Sequence, residues 1–277
     1  LTNSVEQLEE FSDIEYHLGL HCADDFEQAD IIIANPAVPA DNEFLEIARR
    51  SNKLVTSQMN IFFELCPATI IGITGANGKS TTAALTAHLL KAAQYEKVWL
   101  SGNIGNEPLL TIAEQIAADD LVVLELSSFQ LEQLGQIQKS PRVALLTNLT
   151  ANHLDRYGTL AAYRRAKENI FRFQKPDEKS QPVSIFNAED EIGAEWFEKY
   201  SKDTERICLK FSSADVSEEI RSVFTLPGRA NLSNLAAATV IAKYFGAGAE
   251  AIKNSLPQFK ALPHRLELVA QINGVSW

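Results

Sequence analysis

Residues 72–81, "GITGANGKST", set two further glycines, a lysine and two hydroxyls between an apolar run and a helix-forming stretch. That is the chemistry of a phosphate cradle. A helix start frees backbone N–H groups and turns the positive end of its dipole outward, and both attract anions. Gly75 and Gly78 would let the backbone approach phosphate oxygens closely. Lys79 would neutralise the charge of the outer phosphates, and the Ser80 hydroxyl would help to hold Mg²⁺. The spacing is irregular for the general loop G-x-x-x-x-G-K-[ST], which asks for glycine where this chain has Ile73. The competing role is a plain strand–turn–helix with an exposed lysine, although Gly-Lys-Ser-Thr at a helix start is an unusual choice for turning alone.

Other chemistry-bearing residues follow. Glu125 ends the apolar run "LVVLEL", and a carboxylate there needs a partner or a cation. It could complete a Mg²⁺ shell begun by Ser80 or pair with a neighbouring base. "NHLDRYGTLAAYRRAKENIF" holds His153, Asp155 and Lys167, with Thr159 placed to cap a helix. On that helix Tyr163, Lys167 and Ile170 share one face, and Arg164 and Glu168 are spaced as an i, i+4 pair on another. A lysine in such an apolar stripe is expected to snorkel its ammonium to the rim. The alternative is a lysine desolvated enough to lose its proton and react. His153 alone fits a structural role equally well. Asn231 and Asn234, at i and i+3 where a helix opens, either face a ligand or cap the helix. Arg265, after the proline turn of "LPHRLEL", suits bidentate phosphate contact or a structural role.

The elements that must position these groups alternate. "ADIIIANP", "NEFLEIARR" and "KLVTS" read as strand, helix and strand, and "SQMNIFFELCP" as a connection between two domains. From residue 69 the alternation is regular. "TIIGIT", "KVWLSG", "DDLVVLELS" and "RVALLTNL" read as strands. "KSTTAALTAHLLKAAQ" reads as a helix with Leu85, Leu89 and Ala92 on one face. "EPLLTIAEQIA" reads as a helix with Pro108 near its first turn and Leu109, Ile112 and Ile116 in register. The pattern predicts an α/β fold with a mostly parallel sheet covered on both faces. Ligands bind beyond the carboxyl ends of such strands, where Gly75–Ser80, Asn103, Glu125 and Asn148–Asp155 all fall.

The chain of 277 residues is 45 % apolar, enough for one large or two modest domains. A net charge of -11 argues against a nucleic-acid partner. No apolar run approaches the roughly 20 residues that cross a bilayer, and no signal segment opens the chain. Cys22, Cys66 and Cys208 form no disulfide framework, which suits a reducing cytoplasm.

Taken in order, these segments resemble the Mur ligases, ATP-dependent amide-forming enzymes of peptidoglycan synthesis. The short family loop G-x-x-G-K-[ST]-T is matched by Gly75-Ala76-Asn77-Gly78-Lys79-Ser80-Thr81. "SGNIG", "LELSSFQLE", "NHLDRYGT", "YRRAKENIF" and "LPHRLE" are similar to the branch that adds D-glutamate to UDP-N-acetylmuramoyl-L-alanine. The resemblance implies a P-loop-type central ATPase domain over residues 58–261. It implies a partial Rossmann-like domain for the UDP substrate over 1–57 before it, and the start of a third domain over 262–277. It implies that Gly75–Thr81, Asn231, Asn234 and Arg265 bind ATP. Ser80 and Glu125 would hold one Mg²⁺. His153 and a carbamylated Lys167 would belong to a second metal site. Asn103, Ser127, Gln130 and His153 would lie along the muramoyl substrate. Lys79, Glu125, His153 and Lys167 would be the catalytic set. A cytoplasmic monomer acting on small molecules, with no nucleic-acid or membrane partner, is expected.

The match is specific from about residue 58 and weak before it. Ala230 stands where the family usually has histidine, and Ala37 where it has the glycine of Ser-Pro-Gly. The chain stops before the family's Asn-Asp-Ser-Lys-Ala-Thr segment and begins without the expected glycine-rich turn, so a fragment that binds nucleotide without forming an amide is expected. A sister Mur ligase, a folylpolyglutamate synthase and a non-catalytic nucleotide module are the alternatives. "LELSSFQLE" argues against the first two.

Overall fold

The computed structural model describes residues 11–93, 95, 97–104, 109–177, 180–260, 262, 271–272 and 275–276. Pro108 and Arg265 lie outside the described residues. The chain divides into two compact units, Leu1–Gln58 and Met59–Trp277.

In the first unit helix α1 (Ala23–Gln28) precedes strand β1 (Ile31–Ile33), helix α2 (Glu43–Arg50) and strand β2 (Leu54–Thr56). The two strands are parallel, with Ile31 opposite Leu54 and Ile33 opposite Thr56, so β1–α2–β2 is a right-sized crossover unit. Asn42 starts α2 by accepting from the N–H groups of Phe44 and Leu45, and the helix buries Leu45 and Ala48.

The division between the units falls inside "SQMNIFFELCP", the segment read as a connection. Most of that segment is helix α3 (Gln58–Leu65), which buries Met59, Phe62 and Phe63 in a core cluster of the sheet. Three large apolar side chains within five residues explain this, since burying each is worth about 1.5–3 kcal/mol.

The main sheet has six strands, all parallel. They are β3 (Thr69–Thr74), β4 (Val98–Gly102), β5 (Leu121–Glu125), β6 (Val143–Leu146), β7 (Val183–Asn187) and β8 (Ile207–Phe211), in the order β4-β5-β3-β6-β7-β8. The α/β expectation holds, and the sheet extends two strands beyond those expected, to β7 and β8. Strand periodicity divides the core. Ile71, Ile73, Leu121, Val123, Val143 and Leu145 enter one cluster, while Ile70, Val122, Leu124, Ala144 and Leu146 enter the other. The central strands β3, β5 and β6 are apolar on both faces because each face is roofed by helices.

One roof is helix α4 (Lys79–Ala92) with α11 (Arg229–Tyr244). The other includes α5 (Leu109–Ala113), α6 (Ser128–Gln136), α8 (Leu160–Arg172) and α9 (Glu191–Tyr200). The single apolar face expected for α4 is too narrow: Ala83, Ala84, Leu85, Ala87, Leu89 and Leu90 are all buried, because α4 is held between the sheet and α11. Leu109, Ile112 and Ile116 are buried as their register predicts, although α5 itself ends at Ala113. Short helices α7 (Leu154–Tyr157), α10 (Glu218–Val223) and α12 (Ala249–Ser255) and the antiparallel pair β9 (Gln271–Ile272) and β10 (Val275–Ser276) complete the described elements.

The chain leaves β3 toward β4 on one side and β6 toward β7 on the other. The connections that leave the carboxyl ends of neighbouring β3 and β6 therefore run in opposite directions, which opens a crevice in such sheets.

Candidate active site

The glycine-rich loop lies at that crevice, between β3 and α4, and is held from two sides. At Gly78, φ is +80°, a left-handed conformation that side chains resist. A Cβ there would also collide with Asn234 Oδ1 of α11, and a Cβ on Gly75 would collide with Thr147 Oγ1 after β6. The β6 side supplies the bonds. Asn148 accepts from the Ala76 N–H through its carbonyl (2.8 Å) and from the Asn77 N–H through Oδ1 (3.0 Å). Thr147 Oγ1 (2.7 Å) and Asn148 Nδ2 (3.0 Å) both donate to the Asn77 carbonyl. Helix bonding begins with the Thr82 N–H on the Gly78 carbonyl, so the N–H groups of Ser80 and Thr81 have no intrahelical acceptor. Gly78 offers α4 no side-chain cap. Lys79 Nζ folds back onto the Ala76 carbonyl at 2.9 Å, above the loop it would serve.

Ser80, in the first turn of α4, and Glu125, at the carboxyl end of β5 beside β3, meet. Ser80 Oγ donates to Glu125 Oε2 at 2.6 Å, and Asn103 Nδ2 donates to Oε1 at 3.3 Å. Glu125 is only 1 % exposed, yet its side-chain partners are a hydroxyl and an amide rather than the base considered from sequence. A buried carboxylate beside a hydroxyl is a hard-oxygen donor set of the kind Mg²⁺ takes.

Lys167 departs from the snorkelling expectation. It is 2 % exposed, with Nζ donating to Thr74 Oγ1 at 3.1 Å and lying 5.1 Å from the centre of the Tyr163 ring. Helix α8 faces the sheet with Tyr163, Ala166, Lys167, Ile170 and Phe171, so the side chain has no rim within reach. Burial and then the charge of Lys79 push its ammonium from the ordinary 10.5 down to about 7, with Glu125 pulling the other way. Thr159 caps α8 as predicted, by accepting from the Ala162 N–H. The predicted Arg164–Glu168 pair does not form. Arg164 binds Glu195 of α9 at 2.6 Å and Glu168 binds Lys199 of α9 at 2.5 Å, because helix packing offers both charges a partner across the interface.

His153 is exposed, with φ +51°, and its ring lies 5.1 Å from that of Phe129 and 6.2 Å from that of Tyr163. Tyr163 is thus the ring touched by both His153 and Lys167. No group of three or more His, Cys, Asp or Glu side chains placed to hold a metal occurs among the described residues. Bare Lys167 cannot supply the missing ligand, since an ammonium has no lone pair.

Ser127 and Gln130 are tied to each other. Ser127 Oγ accepts from the Gln130 N–H at 3.2 Å, and Gln130 Oε1 accepts from the Ser127 N–H at 2.8 Å, a capping box that starts α6. The spacing Ser-x-x-Gln was visible in the sequence and signals this cap. Asn231 and Asn234 line a cleft of ≈ 280 Å³ with Asn77, Gly78, Thr81 and Ala230. Asn231 is not the cap, since the helix starts at Gly228 with no side-chain cap: its Nδ2 donates to the Pro227 carbonyl, while its Oδ1 accepts from Asn234 Nδ2. Asn234 Oδ1 also accepts from Thr82 Oγ1, which ties the cleft to α4. The hydroxyls of Thr74 and Thr147 escaped the sequence analysis. Each is the threonine at or just past a strand's carboxyl end, and the Thr147 N–H on the Thr74 carbonyl (2.9 Å) places them side by side.

The family model described as "Mur ligase middle domain" matches residues 73–242. The UDP-N-acetylmuramoylalanine--D-glutamate ligase of Roseiflexus sp. (strain RS-1) is 35 % identical over 288 residues, covering 95 % of this chain and 61 % of the relative. The protein of the same name from Acetivibrio thermocellus is 37 % identical over 294 residues, covering 100 % and 61 %. The chain therefore spans about three-fifths of the length of the curated relatives it matches. Among solved structures, a UDP-N-acetylmuramoyl-L-alanyl-D-glutamate--2,6-diaminopimelate ligase superposes with a TM-score of 0.63 at 21 % identity, covering 96 % of this chain and 69 % of that one. That likeness is one of fold.

Proposed function

Because this chain belongs to the Mur ligase family, we propose that it is the nucleotide-binding part of an ATP-dependent ligase that adds D-glutamate to UDP-N-acetylmuramoyl-L-alanine. The observation that carries the proposal is the loop Gly75–Thr81 at the β3/β6 crevice with Ser80 bonded to buried Glu125. The names of the relatives support the choice of D-glutamate.

The substrate's alanyl carboxylate attacks the γ-phosphorus of ATP, the bond to ADP breaks, and an acyl phosphate forms. The D-glutamate amine then displaces phosphate and loses a proton. Two anions must approach in the first step, so this chain supplies positive potential: the Ser80 and Thr81 N–H groups at the α4 terminus and the Lys79 ammonium. The cleft beside Asn231 and Asn234 receives the base, with Ala230 in place of an imidazole. Arg265 adds a phosphate contact. Ser80 and Glu125 would hold one Mg²⁺, and His153 and Lys167 would serve a second, which would need Lys167 as its carbamate. A bound Mg²⁺ would supply charge neutralisation for the transferring phosphoryl group. Asn103, Ser127, Gln130 and His153 line the muramoyl substrate. The capping box would leave the Gln130 amide N–H₂ as the donor turned to that substrate.

Carbamylation is supported by burial. With its acidity near 7, a sizeable fraction of Lys167 is the neutral amine at neutral pH. Its lone pair adds to CO₂, a proton leaves, and an anionic oxygen ligand results. Activity lost in Lys167→Ala of the complete protein should return in part with short-chain carboxylic acids.

Residues 1–57 are proposed as part of the UDP-substrate domain, 58–261 as the ATP domain and 262–277 as the start of a third. No helix among the described residues is long and apolar enough to cross a membrane. A monomer working in the cytoplasm is proposed. The complete protein, given UDP-N-acetylmuramoyl-L-alanine, ATP, Mg²⁺ and single amino acids, should yield the D-glutamyl product by mass spectrometry. A product with another amino acid, or none with any, overturns the assignment.

A further inference from the structure

Hydrogen bonds link the carboxyl ends of β7, β6 and β3, starting from two side chains that do not line the nucleotide cleft. Asn187, the last residue of β7, is 5 % exposed. Its Nδ2 donates to the Thr147 carbonyl at 2.7 Å and its Oδ1 accepts from the Glu189 N–H at 2.9 Å. Asp190 divides its carboxylate: Oδ2 accepts from the Leu149 N–H at 3.0 Å, and Oδ1 caps α9 by accepting from the Gly193 N–H at 2.8 Å. The turn after β7 thus grips the residues on both sides of Asn148, and Asn148 holds the N–H groups of Ala76 and Asn77.

The backbone ladder ends where this grip begins. The last pair between β6 and β7 is Leu146 with Phe186. Beyond it, the Asn187 amide and the Asp190 carboxylate continue the pairing with side-chain groups. The loop they brace contains Gly75 and Gly78, residues with the widest backbone freedom, so an unbraced loop would have to be ordered when an anion binds.

We propose that Asn187 and Asp190 are positioning residues for phosphate binding, acting through Thr147–Leu149 on the loop Gly75–Gly78. The proposal rests on the nucleotide function assigned above. It separates two parts of the ligand: the phosphates depend on the brace, and the base, held in the cleft with Asn231, does not.

Asn187→Asp keeps the size of the side chain and the acceptor for the Glu189 N–H, and sets a carboxylate oxygen against the Thr147 carbonyl in place of the donor. Asp190→Asn removes one of the two acceptors. With the 277-residue chain, titration of the fluorescent nucleotides mant-ADP and mant-AMP, at temperatures where circular dichroism shows each variant folded, is expected to give a split. The Kd for mant-ADP should rise about tenfold while that for mant-AMP, followed to millimolar concentrations, stays within about twofold. A merely loosened protein loses both in proportion, and that parallel loss overturns the proposal, as does unchanged mant-ADP affinity. If Asn187→Asp fails to fold, Asp190→Asn carries the same comparison. Should the wild-type chain bind neither nucleotide, the phosphate-loop assignment itself falls, and the brace with it.

Discussion

Two lysines approach the carboxyl end of β3 from opposite roofs of the sheet, and their surroundings give them opposite character. Lys79 stands at the start of α4, half-buried, with its ammonium on the Ala76 carbonyl. Lys167 lies inside α8's packed face, with its ammonium on the Thr74 hydroxyl and beside the Tyr163 ring. A group meant to hold phosphate must stay charged, and one meant to react as an amine must not. Desolvation makes that distinction, and the charge of Lys79 reinforces it by lowering the pKa of Lys167 further. The helices differ in the same sense. The α8 terminus is closed by Thr159, whereas α4 begins at Gly78 with no side-chain cap.

The largest effect should come from Lys79, the half-buried member of the pair. Lys79→Ala is expected to weaken Mg·ATP binding by at least about 100-fold, the loss of charge-assisted bonds worth roughly 3 kcal/mol. Calorimetric titration reads this, with an unchanged circular dichroism spectrum as control. Wild-type affinity would remove the phosphate role of the loop.

The buried member predicts a dependence of stability on pH. The folded chain releases the Lys167 proton near 7, while the unfolded chain keeps it to about 10.5. Between those values the unfolded state binds more protons, so this residue's contribution to stability rises with pH. Below 7 both states are charged and the full cost of burial remains. Wild type should therefore gain on the order of 2 kcal/mol from pH 7 to pH 9 relative to Lys167→Met, read from urea midpoints. Parallel curves for the two proteins would show that the ammonium is solvated after all.

The capped helix start supplies a smaller test. Thr159→Ala should cost about 1 kcal/mol of stability through loss of the bond to the Ala162 N–H. No change in the unfolding midpoint would mean that α8 is held by packing alone. The smallest effect lies on the solvent side of α8, where Glu195→Ala removes the partner of Arg164. With Glu195 57 % exposed, a loss of at most about 0.5–1 kcal/mol is expected. A loss several times larger would mark that pair as part of a network.

The legibility of the fold followed the strength of local pattern. Strands β3, β5 and β6 were readable because apolar runs buried on both faces need no partner to identify them. Strand β8, "ICLKF", was not: an edge strand at the end of the sheet, with Lys210 exposed, lacks such a run. The loop Gly75–Thr81 was readable because its glycines and its Lys-Ser-Thr are contiguous. Asn187 and Asp190 were not, since their partners lie 40 and 41 residues away.

The sequence by itself determined the alternation that forces a parallel sheet, the phosphate-type loop at the end of β3 and the helical face shared by Tyr163, Lys167 and Ile170. Each is a matter of spacing along one element. Tertiary structure alone decided that the Lys167 ammonium is sealed from water, that Glu125 meets Ser80 rather than a base, and that Arg164 turns to Glu195. Those outcomes depend on which elements stand next to each other in the sheet order and in the helix layers. Period and propensity describe which way a side chain leaves its own backbone; only the neighbouring element fixes what it meets, and so which charges are desolvated and which are paired.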